Sequence, residues 1–88
     1  MLDRINSPAA ERIATLVCQL LAKRGITYTP GCDDDLTESG LSSLDTVNLM
    51  LAVEGEFDLK IPDREMTPAN FRTVARIGAL LERLKEHA

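Results

Sequence analysis

Tryptophan is absent from this chain of 88 residues, and Tyr28, Phe57 and Phe71 are its only aromatic side chains. A core must therefore come from Leu, Ile, Val, Met and Ala, and the members of that set unbranched at Cβ favour helices. Cysteine is scarce, and Cys18 and Cys32 have a spacing unlike any zinc motif. Cys18 falls in an apolar helical run and reads as a core residue. Cys32 lies in a Gly/Asp loop and reads as a free thiol of a reducing compartment, so no structural disulfide is expected. The single histidine, His87, stands one residue from the end, where no functional role is expected. Positive charge is in deficit: 10 Lys and Arg face 14 Asp and Glu, for a net charge of −4. An acidic surface repels phosphate backbones and anionic lipid, which disfavours nucleic acid and membrane as partners and favours a basic protein. No apolar run approaches a membrane span, and "MLDRINSPAAERIATL" lacks the cationic start and cleavage pattern of a secretory signal. A cytoplasmic location follows. The length allows one domain, residues 1–88, of modest stability and with no deep cleft between domains.

What is present is helical patterning. "NSPAAERIATLVCQLLAKRG" predicts a first helix, with Ser7 as N-cap and Pro8 at the first helical position. Ile13, Leu16, Val17, Leu20 and Leu21 recur at helical spacing as one stripe. Lys23 and Arg24 suit the negative end of the dipole, and Gly25 can close the helix. From Ile26 to Ser42 the chain reads as a loop punctuated by Pro30, Gly31 and Gly40. Loops of this length are usually functional or unstructured. Ile26, Tyr28, Leu36 and Leu41 can pin this one to the core, so it is expected to be ordered.

"SSLDTVNLMLAVEGEF" predicts a second helix, with Ser42 and Asp45 spaced as a capping box. Leu44, Val47, Leu51 and Glu54 fall along one line; Leu49, Met50, Val53 and Phe57 fall along another. Two apolar lines mean either deep burial or one face reserved for a partner. "DLKIPDREMTPANF" predicts a linker with a short helical turn within Asp63 to Asn70. "RTVARIGALLERLKEHA" predicts the last helix, with Thr73 as N-cap and Val74, Ile77, Leu80, Leu81 and Leu84 as its stripe. Gly78 inside it either costs about 1 kcal/mol against Ala or permits a close helix contact. No strand-like alternation and no repeat is present. The expected fold is all-α: a bundle of three main helices plus one short helix, with a long loop between helices one and two.

The adjacent hydroxyls of Ser42 and Ser43 carry the functional question. A hydrolytic nucleophile needs a base beside it and usually an oxyanion hole. "GLSSL" lacks the second Gly of the G-x-S-x-G elbow, the only His is in the tail, and no Lys lies one turn away. An enzyme is not expected. Asp33-Asp34-Asp35 lacks the alternating acids, Gly and closing Glu of a calcium loop; it reads as a solvated acidic loop able to cap a short turn, and no metal site is expected. One hydroxyl suffices to cap a helix. If Ser42 does so, Ser43 projects from the first turn near positive dipole density, available to be modified and to carry an anion. The plain alternative is a cap followed by an ordinary first-turn residue.

"GLSSLDTVNLMLAVEGEFDLKIPD" resembles the second-helix region of acyl carrier proteins, a family that reads Gly-x-Asp-Ser-Leu, then Asp and Val on the helix, then Glu-x-x-Phe-Asp-x-x-Ile-Pro. The matching residues are Gly40, Ser43, Leu44, Asp45, Val47, Leu49, Glu54, Glu56, Phe57, Asp58, Ile61, Pro62 and Asp63. The likeness continues through Phe71, Thr73, Val74 and Ile77. It implies a carrier: a phosphopantetheinyl transferase, using coenzyme A and magnesium, attaches 4′-phosphopantetheine to Ser43, between Ser42 and Leu44. The arm's thiol then holds a cargo as a thioester for a ligase and for downstream acyl-transfer enzymes, and tethering raises its effective concentration. The protein itself catalyses nothing, and a monomer is expected.

The chain departs from the family pattern at Ser42, where the family has Asp, and at Asn48, Leu51 and Gly55, where acidic carriers commonly place acids. The implied partner face comprises Leu44, Asp45, Val47, Asn48, Leu51, Gly55 and Met66, with apolar contact at Leu44, Leu51 and Met66 outweighing charge. "SGLSSLDTVNLML" and the extended "DREMTPANF" resemble a narrower group, small stand-alone carriers that accept amino acids from truncated class II synthetase-like ligases. The favoured cargo is thus a small amino acid. The alternatives are a fatty-acid or polyketide acyl carrier and, from another class, an unmodified helical adaptor using the Leu44/Leu51 face.

Overall fold

The computed structural model describes residues 8–86, which form three helices: α1 (Pro8–Lys23), α2 (Ser43–Phe57) and α3 (Val74–Glu86). No strand occurs among the described residues. The short helix expected within Asp63 to Asn70 is a single 3-10 turn at Asp63–Glu65. The expected cap at Ser7 and the tail residue His87 lie outside the described residues.

α1 buries Ile13, Val17 and Leu21 completely, while Leu16 and Leu20 from the same stripe are half-buried. It packs against both α2 and α3. Its end is closed by paired backbone bonds, Ile26 N–H to the Leu21 carbonyl (3.0 Å) and Gly25 N–H to the Ala22 carbonyl (2.9 Å). Gly25 sits at φ +76°, where a Cβ would be strained, and this crossed pair is the Schellman closure. Cys18 is half-buried rather than in the core: its thiol stands at α1's flank, 3.8 Å from Thr29 Oγ1. Cys32 is also half-buried, and neither cysteine is in a disulfide.

The connection from α1 to α2 is ordered by Leu36 and Leu41, which are buried, and by Ile26, which packs on the core. Tyr28 does not pin it in the expected way. Its ring is exposed, and its hydroxyl donates to Asp34 at 2.6 Å. The acidic triplet works locally. Asp34 also accepts from Gly31 N–H (2.8 Å), and Asp35 accepts from the amides of Thr37 and Glu38 and from the Thr37 hydroxyl. Two backbone bonds clasp this connection to the far side of the molecule, Leu36 N–H to the Arg72 carbonyl (2.8 Å) and Ala75 N–H to the Cys32 carbonyl (3.0 Å).

α3 starts as expected: Thr73 Oγ1 accepts from Arg76 N–H at 3.0 Å. Val74, Ile77, Leu80 and Leu81 are buried and Leu84 is half-buried. A Cβ built on Gly78 meets nothing within 4 Å, so no close approach requires this glycine. Phe71 and Ile61, from the segment between α2 and α3, complete the aliphatic core. In such cores a Leu-to-Ala truncation generally costs about 2–5 kcal/mol.

Candidate functional site: the start of α2

The two serines are separated by their hydrogen bonds. Ser42 is the N-cap of α2, with extended backbone; its hydroxyl accepts from Asp45 N–H (3.1 Å), and Asp45 Oδ2 accepts in return from Ser42 N–H (3.0 Å). Thr46, buried, donates its hydroxyl to the Ser42 carbonyl at 3.1 Å. Ser42 is therefore fully engaged by the capping box that the spacing predicts. Ser43, the first helical residue, is exposed, and its Oγ makes no hydrogen bond among the described residues. No base touches it. The amides of Ser43 and Leu44 have no acceptor inside the helix, and the positive end of the dipole lies there.

Sequence reasoning missed one residue here. Arg24, the last residue before the Gly25 closure of α1, reaches the tip of α2. Its Nη2 donates to Ser42 Oγ at 3.1 Å, and its Nε pairs with Asp45 Oδ2. Asp45, expected on the partner face, has a side chain only 13% exposed and is occupied by the cap and by Arg24. The Ser42 amide first, and then the Arg24 guanidinium, hold its carboxyl below the usual carboxylate range.

Below the tip, α2 presents an unpartnered apolar face. Leu44 is 68% exposed, Val47 48% and Leu51 57%, whereas Leu49, Met50 and Val53 are buried. Of the two readings of α2's apolar lines, deep burial of both is excluded: one line makes core, the other faces outward. Asn48 and Gly55 lie exposed on the outward side. Glu54 at its edge is spent inward, its carboxylate accepting from Ile61 N–H at 2.8 Å. Met66 does not stand free on this face; it is half-buried against the core. Gly40, at φ +128°, holds the approach to the tip, because a Cβ there would come within 2.5 Å of Ile26 Cδ1 and 3.3 Å of Leu21 Cδ2. Among the described residues no group of His, Cys, Asp and Glu is arranged to hold a metal ion, and no helix is long and apolar enough to cross a membrane.

Residues 11–81 match the family model described as the phosphopantetheine attachment site. The chain belongs to this family of carrier domains. It is 40% identical to aminoacyl carrier protein 1 of Bradyrhizobium diazoefficiens, over 91% of this chain and 89% of the relative. Among solved structures it is similar to a chain in the Bradyrhizobium japonicum glycine:[carrier protein] ligase complexed with its cognate carrier protein and an analogue of glycyl adenylate. That match has a TM-score of 0.77 and 33% identity, over 85% of this chain and 96% of the other. A second match, to the same ligase complexed with glycylated carrier protein, has a TM-score of 0.69 and 39% identity, over 81% and 96%. Within the family, the chain's place is with the stand-alone aminoacyl carriers.

The family's cofactor is covalently bound 4′-phosphopantetheine, and the start of α2 fits it. A hydroxyl that is exposed and unengaged can be esterified without disturbing the cap, which Ser42 and Asp45 supply between them. The ester's negative charge would meet free amides at a helix N-terminus.

Proposed function

We propose that this chain is a single carrier domain that takes 4′-phosphopantetheine from coenzyme A on Ser43, is charged with a small amino acid by a ligase, and hands that cargo to an acyl-transfer enzyme. The carrying observation is the division of labour between the two serines: Ser42 is bound into the cap, and Ser43 is free at the exposed tip. When bound, the arm supplies a terminal thiol on which the cargo is held as a thioester. Everything else is done by the chain's own residues. The capping box keeps the first turn of α2 rigid, so Ser43 is presented in one geometry to the transferase. Leu44, Val47, Asn48, Leu51 and Gly55 form the face a ligase reads, and the apolar members supply area that is desolvated on docking. The carrier reading assigns the chain no chemistry of its own. Its reactions belong to its partners, which a cytoplasmic setting supplies together with coenzyme A. The aminoacyl cargo is supported by the likeness to relatives and solved complexes that carry or charge amino acids.

Intact-mass spectrometry after incubation with coenzyme A and a broad-specificity transferase tests the reading. A gain of one arm is expected in the wild type and in Ser42→Ala, and none in Ser43→Ala. No gain in the wild type would leave an unmodified adaptor as the better account. Charging of the holo form with fatty acids, but not with glycine or alanine, would make it an acyl carrier instead.

A further inference from the structure

Arg24 is the side chain from α1's end that crosses to the tip of α2, where it bonds Ser42 Oγ and Asp45. This exceeds what a cap needs, because Ser42 and Asp45 already satisfy each other. Three features make the contact more than a brace. First, the guanidinium carries five donors, and the described bonds use two of them. Its side chain is 45% exposed, so the guanidinium beside Ser43's immediate neighbour is not enclosed. Second, Asp45 is ionised and sits in the first turn of α2. Uncompensated, it would repel any anion esterified to Ser43. Third, the Gly25 closure fixes the backbone from which Arg24 projects, so the cation is delivered at low entropic cost.

We propose that Arg24 is the counter-ion of the phosphodiester carried at Ser43, a positioning residue that cancels Asp45 and holds the root of the arm against the helix tip. The inference rests on Ser43 bearing the arm. Guanidinium is suited to the task because its planar fork can serve a carboxylate and a phosphate together. Lys23, on the same turn, is exposed and is the internal control.

The experiment is a thermal cycle on full-length apo and holo protein: wild type, Arg24→Gln, Arg24→Lys and Lys23→Gln. The holo-minus-apo shift in Tm should be larger in wild type than in Arg24→Gln by about 2–6 °C at low salt. Arg24→Lys should recover part of the difference, and Lys23→Gln should leave it intact. In wild type, which needs no variant to fold, the phosphorus resonance of the arm should move as NaCl rises to about 1 M, and it should move far less in Arg24→Gln. If Arg24→Gln lowers apo and holo Tm equally, Arg24 only braces the cap and the proposal is overturned. If Lys23→Gln erases the shift as well, the effect is diffuse charge and the proposal is equally overturned. A wild type that gains no arm sinks the carrier reading itself, an outcome the mass spectrum distinguishes before any melting curve is run.

Discussion

At the scale of single residues, the start of α2 shows what local rules can and cannot reveal. The Ser42–Asp45 box is legible because both partners lie within one helical turn, where spacing alone dictates the contact. Arg24 is illegible because it lies 18 residues from Ser42 and 21 from Asp45. Cys18 and Tyr28 were misread for a related reason: periodicity and apolarity state that a side chain can be covered, not that something arrives to cover it. The box has a consequence in acid. Asp34, Asp35 and Asp45 all have carboxyls held below the ordinary aspartate range in the folded state by hydrogen bonds, with Arg24 adding to the effect at Asp45. A depressed folded value contributes stability that is complete above the unfolded value and is lost as pH falls through the folded one. Tm should therefore be flat from about pH 7 to about 5 and fall below about pH 4. Asp45→Asn should lower Tm at neutral pH, and its deficit against wild type should close as the pH is lowered. Melting curves across that range check both; a deficit independent of pH would mean that the charge of Asp45 contributes nothing.

At the scale of elements, the glycines separate into two kinds that sequence cannot tell apart. Gly40 is required by its positive φ and by the Ile26 and Leu21 methyls against it. Gly55 is exposed in α2 with open space where its Cβ would be. Gly40→Ala should destabilise by about 1–3 kcal/mol, and Gly55→Ala should stabilise by about 0.5–1 kcal/mol. Urea midpoints of the two variants should thus move in opposite directions. The helices themselves were readable to within a residue or two, since each carries its stripe and its cap in its own segment. The short helix was not: its segment has turn signals but too few apolar positions to specify more than the 3-10 turn that forms. The ordered connection between α1 and α2 was readable only through its buried anchors, Leu36 and Leu41. Its clasp to Arg72 and Ala75 is backbone pairing that no side chain announces.

At the scale of the whole molecule, the net charge of −4 is not displayed on the outward face of α2 proposed above for docking. Asp34 and Asp35 are in the loop between α1 and α2, bonded to local amides; Glu54 is turned to Ile61; Asp45 is paired with Arg24. The outward face of α2 is left neutral and apolar. Exposed charges at such a rim mainly set encounter rates, and apolar anchors mainly set residence. Placing acids at Asn48 and Gly55 should raise the acyl-transfer rate with ordinary fatty-acid enzymes, most strongly at low ionic strength. Unchanged rates would mean that charge is not what excludes those enzymes.

The sequence by itself determined the helices, the caps at Ser42 and Thr73 and the motif around Ser43 that resembles the family, because each is written within one segment of the chain. Tertiary structure alone decided which apolar line of α2 is core and which is surface, and it brought Arg24 to the tip. Both depend on where α1 returns in space, and that position is set by the packing of the whole core rather than by any stretch of it.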